Sequence, residues 1–229
     1  MQNQNLIMVL ILHAKVERRL EETRFEMLLQ PLPADIRQKI RRYRRWQDAH
    51  ACLLGKLLLI EGMQRFGLDS ANLIHQLQYT DFGRPYLPAL IDFNISHSGE
   101  YVLCALSNHC RVGVDIEKVQ PINLSDFRGQ MTDAEWATVI GDTSPLRAFY
   151  YYWTRKEAAI KAHGHGLSLP LKEVVIGEGE VMMEGRAWPL YEVELSPGYV
   201  CHLVTDASVE ETDIWVERVG FDFDSIEFG

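Results

Sequence analysis

Read for the spacing of its apolar positions, the chain falls into two blocks of similar order, each a long helix followed by several strands. Residues 6–12 are a short apolar run of strand length. Residues 16–30 alternate charged and apolar side chains at helical spacing and stop before Pro31 and Pro33, which predicts a helix. A second helix is expected from Asp48, a good N-cap, through Leu53, Leu54, Leu57, Leu58 and Met63 to Gly67, a good C-cap. Its apolar face is continuous, so it belongs in a core. Residues 79–90, with Gly83, Pro85 and Pro88, read as a loop. Three β-type runs follow at 93–96, 101–107 and 112–119, separated by short turns around Gly99 and Asn108.

The second block repeats this order. Residues 120–140 read as a loop with one short helix starting near Thr132, where Thr132 and Glu135 have capping-box spacing. Residues 146–162 form a strong helical pattern closed by Gly164 and Gly166, and 174–176, 190–195, 199–205 and 214–219 are strand-like. The order predicts an α+β protein of two similar halves packed together, with the break near 108–112.

Composition narrows the class. The 229 residues are 47% hydrophobic and 24% charged, with a formal charge of −9, which excludes a largely disordered or fibrous chain. No apolar run approaches the roughly 20 residues that span a bilayer. The run at 6–12 has neither a basic residue before it nor a small-residue cleavage site after it, so no membrane association is expected and a cytoplasmic location is. Cys52, Cys104, Cys110 and Cys201 form no C-x-x-C pair and are expected as buried, reduced thiols. His163 and His165 form an H-x-H in a glycine-flanked loop with no third ligand nearby in the chain, and a structural or merely polar role is expected for them.

Net acidity hides one exception. Arg37, Lys39, Arg41, Arg42, Arg44 and Arg45 lie within nine residues that contain no acid. Such a run is either a solvated helix face or a site for a phosphorylated ligand. Nucleic acid is a poor partner, because the remaining surface is strongly anionic.

Two segments carry chemistry. Asp115 and Glu117 are two apart in a strand, so both project from one face while Val114 and Ile116 point into a core. Adjacent carboxylates raise each other's pKa unless a cation lies between them, and Mg²⁺ suits one or two carboxylates plus phosphate oxygens. On the helix, Glu157 and Lys161 are four apart and share a face with Trp153 one turn earlier. Taken alone, this pair is either a surface ion pair or a third carboxylate with a phosphate-binding lysine.

Five segments together resemble the 4′-phosphopantetheinyl transferases of the long, two-halved type that activates peptide and polyketide synthases. They are Asp48-Ala-His-Ala-Cys-Leu-Leu-Gly55, Phe82-Gly-Arg-Pro85, Phe93-Asn-Ile-Ser-His-Ser98, Gly113-Val-Asp-Ile-Glu-Lys118 and Trp153-Thr-Arg-Lys-Glu-Ala-Ala-Ile-Lys161, the last continuing into Gly164-His-Gly-Leu-Ser-Leu-Pro170. The resemblance spans about residues 35–171, and beyond it only the strand pattern fits. It implies two similar α/β halves, 1–110 and 111–229, each a long helix on a small antiparallel sheet. They would be related by pseudo-two-fold symmetry, with the active site at their junction, so that a monomer suffices.

The implied activity is Mg²⁺-dependent transfer of phosphopantetheine from coenzyme A to a serine of an acyl or peptidyl carrier protein, releasing adenosine 3′,5′-bisphosphate. By resemblance, Asp115, Glu117 and Glu157 hold the metal. Ser96 and His97 meet the phosphates, Lys161 the pyrophosphate, Arg84 the adenine end, and Lys39 with Arg37 the 3′-phosphate. Glu157 is the candidate base for the serine, with metal-bound hydroxide as its rival. The segment after the metal strand, with Leu124, Phe127 and Met131, is the expected carrier contact. Two departures are His165, where the family often has Lys or Arg, and Cys52, where it often has a hydroxyl or basic residue. The alternatives are a metal-dependent phosphohydrolase and a non-catalytic carrier-protein-binding module.

Overall fold

The computed structural model describes residues 9–89 and 91–221, apart from the Leu167 side chain. Residues 6–8 of the expected first strand and Leu90 of the expected loop lie outside the described residues. Strand β1 (Val9–Lys15) is buried on both faces, which is why it reads as an unbroken apolar run. Leu10, Leu12 and Ala14 join the core beneath the first helices, whereas Val9 and Ile11 face the other half of the molecule.

The helix expected at 16–30 begins later, as α1 (Glu22–Leu29). Its predicted first turn is irregular chain with a bend at Arg18 instead: Val16 N–H bonds Glu100 O at 2.7 Å, and Leu20 N–H donates to His50 Nε2 at 2.9 Å. Val16 and Leu20 are thereby buried as core residues. Helix α2 (Ala34–Arg41) was not expected, because its apolar pair Ile36 and Ile40 is hidden in the basic run. Helix α3 (Trp46–Arg65) starts two residues before Asp48, which lies in the first turn and caps nothing. A short α4 (Ser70–Leu73) follows, and the expected loop contains a small hairpin of β2 (Gln78–Tyr79) and β3 (Pro85–Tyr86).

Strands β4 (Asp92–Ser98), β5 (Tyr101–Ser107) and β6 (Val112–Lys118) agree with expectation. So do α5 (Asp133–Gly141), whose Thr132 and Glu135 make the full capping box, and α6 (Pro145–His163), which ends on left-handed Gly164. In the last third, β7 (Val175–Ile176), β10 (Tyr199–Thr205) and β11 (Ile214–Arg218) fall where expected. Strand β8 (Glu180–Met183) was not foreseen, and β9 (Arg186–Glu192) starts earlier than the apolar run that suggested it.

The strands form two mixed-connectivity sheets of order β11-β1-β5-β4 and β6-β10-β9-β8-β7. All pairings in them are antiparallel except β1 with β11. Helix α3 covers the first sheet and α6 the second, while Tyr101, Leu103 and Ala105 of β5 meet Val112, Val114 and Ile116 of β6 in a shared core between them. This is the α+β architecture of two α/β halves.

The edges of the two sheets, β4 and β6, are joined by side chains in place of a backbone ladder. Asp92 Oδ2, Asn94 Oδ1, Ser96 Oγ and Ser98 Oγ accept the backbone N–H groups of Val112, Val114, Ile116 and Lys118 at 2.8, 3.0, 3.3 and 3.0 Å. Every donor on that side of β6 is satisfied, and the alternation in β4 sends Phe93 into the helical core. The seam therefore fixes the register of β6 against β4.

On its other side β6 lies against α6. A Cβ on Gly113 would stand 2.1 Å from Ala158 O and 2.3 Å from Ala162 N, both rigid backbone. Gly113→Ala should force strand and helix apart and cost about 3 kcal/mol or more, above the ordinary range for overpacking because no side chain can yield. A melting temperature within two degrees of wild type would overturn this reading.

Candidate active site

Because side chains alternate along β6, Gly113, Asp115 and Glu117 share the face turned to α6, and the close approach at Gly113 brings that face to Glu157 and Lys161. Lys161 Nζ lies 2.5 Å from Asp115 Oδ1, 3.1 Å from Ser96 Oγ and 3.4 Å from Val114 O. Ser96 Oγ also donates to Asp115 Oδ1 at 3.0 Å. Asp115 is thus anchored through one oxygen, while its Oδ2 is buried with no hydrogen-bond partner among the described residues. Ser98 Oγ donates to Glu117 Oε2 at 2.7 Å.

The three carboxylates make one electrostatic unit. Burial pushes the Asp115 carboxyl above its ordinary range, against the pull of Lys161 and Ser96. Burial also raises Glu117, whose pKa is raised further by Asp115 and Glu157, and it raises Glu157, with Asp115 adding to the effect and Lys161 opposing it. One ammonium does not neutralise three acids. An orphaned buried oxygen coupled to two further carboxylates of raised pKa fits a hard divalent cation, which supplies the missing charge to oxygen donors. The carboxylates are neighbours, not a closed cage. Among the described residues, the one set of three candidate ligand atoms within 4.8 Å of one another is His163, His165 and Glu184.

Of the remaining residues singled out from the sequence, Ser96 lies in the site and His97 follows it at the end of β4. The His97 ring has an exposed edge, yet the walls around it and the Lys161 ammonium lower its pKa below 6.5, so it is neutral at pH 7. Arg84 is buried: its guanidinium pairs with Asp92 at 2.6 Å and donates to Val112 O and Ala162 O, bracing β4, β6 and α6. Lys39 is exposed on α2, its ammonium 5.5 Å above the Tyr79 ring. The basic run is not uniformly open. Arg41 is paired with Glu26 and Arg45 lies 4.0 Å from Asp48. All four cysteines are free, and Cys52 is only partly buried.

The seam formed by the alternate polar residues of β4 and the burial of Lys156 are not among the expectations from sequence, where only Ser96 of that set is named, for another role. The repeated polar positions Asp92, Asn94, Ser96 and Ser98 were the available signal for the first. Lys156 Nζ donates to Leu171 O and Val174 O at 2.9 and 2.6 Å and lies 2.9 Å from Glu135 Oε1, close enough for an ion pair though off the hydrogen-bonding line.

The expected carrier contact needs correction at Met131, whereas Leu124 and Phe127 stay partly exposed. Met131 is completely buried with Val139, Phe149 and Tyr150, so it cannot touch another protein. The segment Leu124–Gln130 is a 3₁₀ turn laid on that cluster, with Phe127 half-buried, 5.0 Å from Phe149 and 5.3 Å from Trp153 between ring centroids. Leu124 is also half-buried against it. The fold-back wins because three aromatic rings offer more apolar area than solvent exposure would leave uncovered. Met131→Ala should therefore cost about 2–5 kcal/mol of stability, as for other buried Met truncations. Denaturant melts check this, and unchanged stability would return Met131 to the surface.

Fold and site together define a two-lobed α+β enzyme with a carboxylate–lysine centre between a strand of one sheet and the helix that covers it. Comparison with known proteins identifies the family. The profile of the 4′-phosphopantetheinyl transferase superfamily matches residues 111–185, and that of the 4′-phosphopantetheinyl transferase N-terminal region matches 19–109. The chain is 32% identical over 196 residues to 4′-phosphopantetheinyl transferase Sfp of Bacillus subtilis (strain 168), covering 80% of this chain and 86% of that protein. It is 31% identical over 203 residues to 4′-phosphopantetheinyl transferase gsp of Aneurinibacillus migulanus, covering 85% and 84%. The L-aminoadipate-semialdehyde dehydrogenase-phosphopantetheinyl transferase of Schizosaccharomyces pombe is 30% identical over 160 residues, or 61% and 62% of the two chains. The chain belongs to the 4′-phosphopantetheinyl transferase superfamily and is an enzyme of the long, two-halved type.

Proposed function

We propose that this enzyme transfers the 4′-phosphopantetheine group of coenzyme A to a serine of an acyl or peptidyl carrier protein and releases adenosine 3′,5′-bisphosphate. The observation that carries the site assignment is Asp115, held through Oδ1 by Lys161 and Ser96 and left with a bare, buried Oδ2 beside Glu117 and Glu157. Asp115, Glu117 and Glu157 would hold Mg²⁺, which when bound neutralises charge on the pyrophosphate. Lys161, paired with Asp115, would meet a pyrophosphate oxygen. His97 would contribute an N–H donor and Ser96 its hydroxyl to the phosphates. Glu157 would take the proton of the serine hydroxyl, with metal-bound hydroxide as its rival. The exposed Lys39, and Arg37 two residues earlier on α2, would meet the 3′-phosphate. We assign the halves as residues 1–110 and 111–229 with the site at their seam, acting as a cytoplasmic monomer. Among the described residues, no helix is long and apolar enough to cross a membrane.

Incubation with coenzyme A, Mg²⁺ and an apo-carrier protein, followed by mass measurement of the carrier, tests the reading. A gain of one phosphopantetheine is expected. Hydrolysis of coenzyme A with an unmodified carrier would make the enzyme a phosphohydrolase, and carrier binding without chemistry would make it a binding module. A further outcome tests the basic helix. Dephospho-coenzyme A, which lacks the 3′-phosphate, should bind more weakly, and Lys39→Ala should shrink that preference by about 1.5–3 kcal/mol, the range for one charged hydrogen bond. Equal affinity for both ligands would leave the basic run as a solvated face.

A further inference from the structure

We propose that His163, His165 and Glu184 form a second site, specific for a divalent transition-metal ion of the zinc class. Candidate ligand atoms of all three lie within 4.8 Å of one another. Two imidazoles and a carboxylate suit zinc, cobalt or nickel, whereas the oxygen-only set at Asp115, Glu117 and Glu157 suits magnesium. His163 Nε2 stands 3.2 Å from Glu184 Oε2. That spacing matches the edge of about 3.3 Å expected between tetrahedral ligands held at 2.0–2.1 Å. His163 is buried, and its Nδ1 is enclosed with no hydrogen-bond partner, so the contact toward Glu184 is its one side-chain hydrogen bond among the described residues.

Local structure assembles the set from distant parts of the chain. Helix α6 ends at left-handed Gly164, which turns the chain so that the rings of His163 and His165 meet edge to face at 4.3 Å. Glu184 opens the two-residue turn between β8 and β9 with φ +49°, where Gly, Asn or Asp would be usual. His165 and Glu184 remain exposed, leaving room for water as the fourth ligand. The third ligand absent from the sequence around the H-x-H thus comes from 21 residues beyond His163. A bound ion would tie the β8–β9 turn to the end of α6. The rings bind as neutral imidazoles, so any proton on them leaves for solvent when the ion enters.

The test is a cobalt titration of the untagged full chain after chelator treatment, competed with zinc. One equivalent of Co²⁺ should give the visible d–d bands of a low-coordinate nitrogen–oxygen site, and Zn²⁺ should abolish them and raise the melting temperature. His165→Ala and Glu184→Gly should each weaken binding more than tenfold. Glu184→Gly also relieves the positive φ, so its metal-free melting temperature should equal or exceed that of wild type, separating lost binding from lost folding. Asp115→Ala should leave the cobalt bands in place. Absent bands, undiminished binding by both variants, or bands lost on Asp115→Ala would each overturn the proposal, and none of these results depends on transferase activity.

Discussion

Asp115→Ala should lower the rate of phosphopantetheine transfer on the order of 10²-fold or more, the usual cost of removing one preorganised electrostatic partner. Glu157→Gln should do the same, and it gives the cleaner control on stability. The Glu157 carboxyl is raised above 4.5 by burial and by Asp115. Between 4.5 and its raised folded value, the folded chain therefore holds more protons than the unfolded chain, so stability falls as pH rises through that window. Above that window the full penalty applies, and an uncharged amide removes it. Without Mg²⁺, the melting temperature of Glu157→Gln should equal or exceed that of wild type. Added Mg²⁺ should raise the melting temperature of wild type but not of Asp115→Ala, because a ligand stabilises only the state that binds it. Near-wild-type transfer by correctly folded variants would remove these residues from the site.

The second large effect concerns the residue next to Glu157 in sequence. Lys156→Ala should destabilise the protein by about 3–5 kcal/mol, the cost of breaking a buried charge network by removing one member. For a chain of this size that is a fall on the order of 10 °C in melting temperature. The ammonium is fully buried and joins α6 to the carbonyls of Leu171 and Val174 and to Glu135 of α5. No part of this network touches Asp115, Glu117 or Lys161. Transfer by the folded fraction at low temperature should then stay within a few-fold of wild type. A thermally normal variant with lost transfer would reverse the assignment and put Lys156 in the chemistry.

Lys156 shows why motif spacing and role are separate questions. Consecutive helical residues point about 100° apart, so the neighbours Lys156 and Glu157 enter different surroundings, one a dry joint and the other the site. The same helix holds a third arrangement. Arg155 donates to His202 Nε2 at 3.3 Å and His202 Nδ1 pairs with Thr154 Oγ1 at 2.7 Å, leaving a buried imidazole whose pKa falls to about 3 through burial and the Arg155 charge. Nothing in the spacing of Thr154, Arg155, Lys156 and Glu157 distinguishes these duties. They depend on what β10, α5 and β6 bring to each side.

What lies within one segment was legible in the sequence. The shared face of Asp115 and Glu117, the burial of Val114 and Ile116 behind them, the Thr132–Glu135 capping box and the end of α6 at Gly164 all follow from periods and caps that need no distant partner. Tertiary structure decided the rest. It chose irregular chain over helix at Val16 and Leu20 by offering them Glu100 O and His50, and it laid the turn around Phe127 on aromatic rings while burying Met131. It placed Lys161 on one oxygen of Asp115 and Glu184 beside the two histidines. Side-chain direction is set by backbone geometry over a few residues, whereas a charge, an acceptor or an apolar surface arriving from 20 to 80 residues away is set by packing, which no local period encodes.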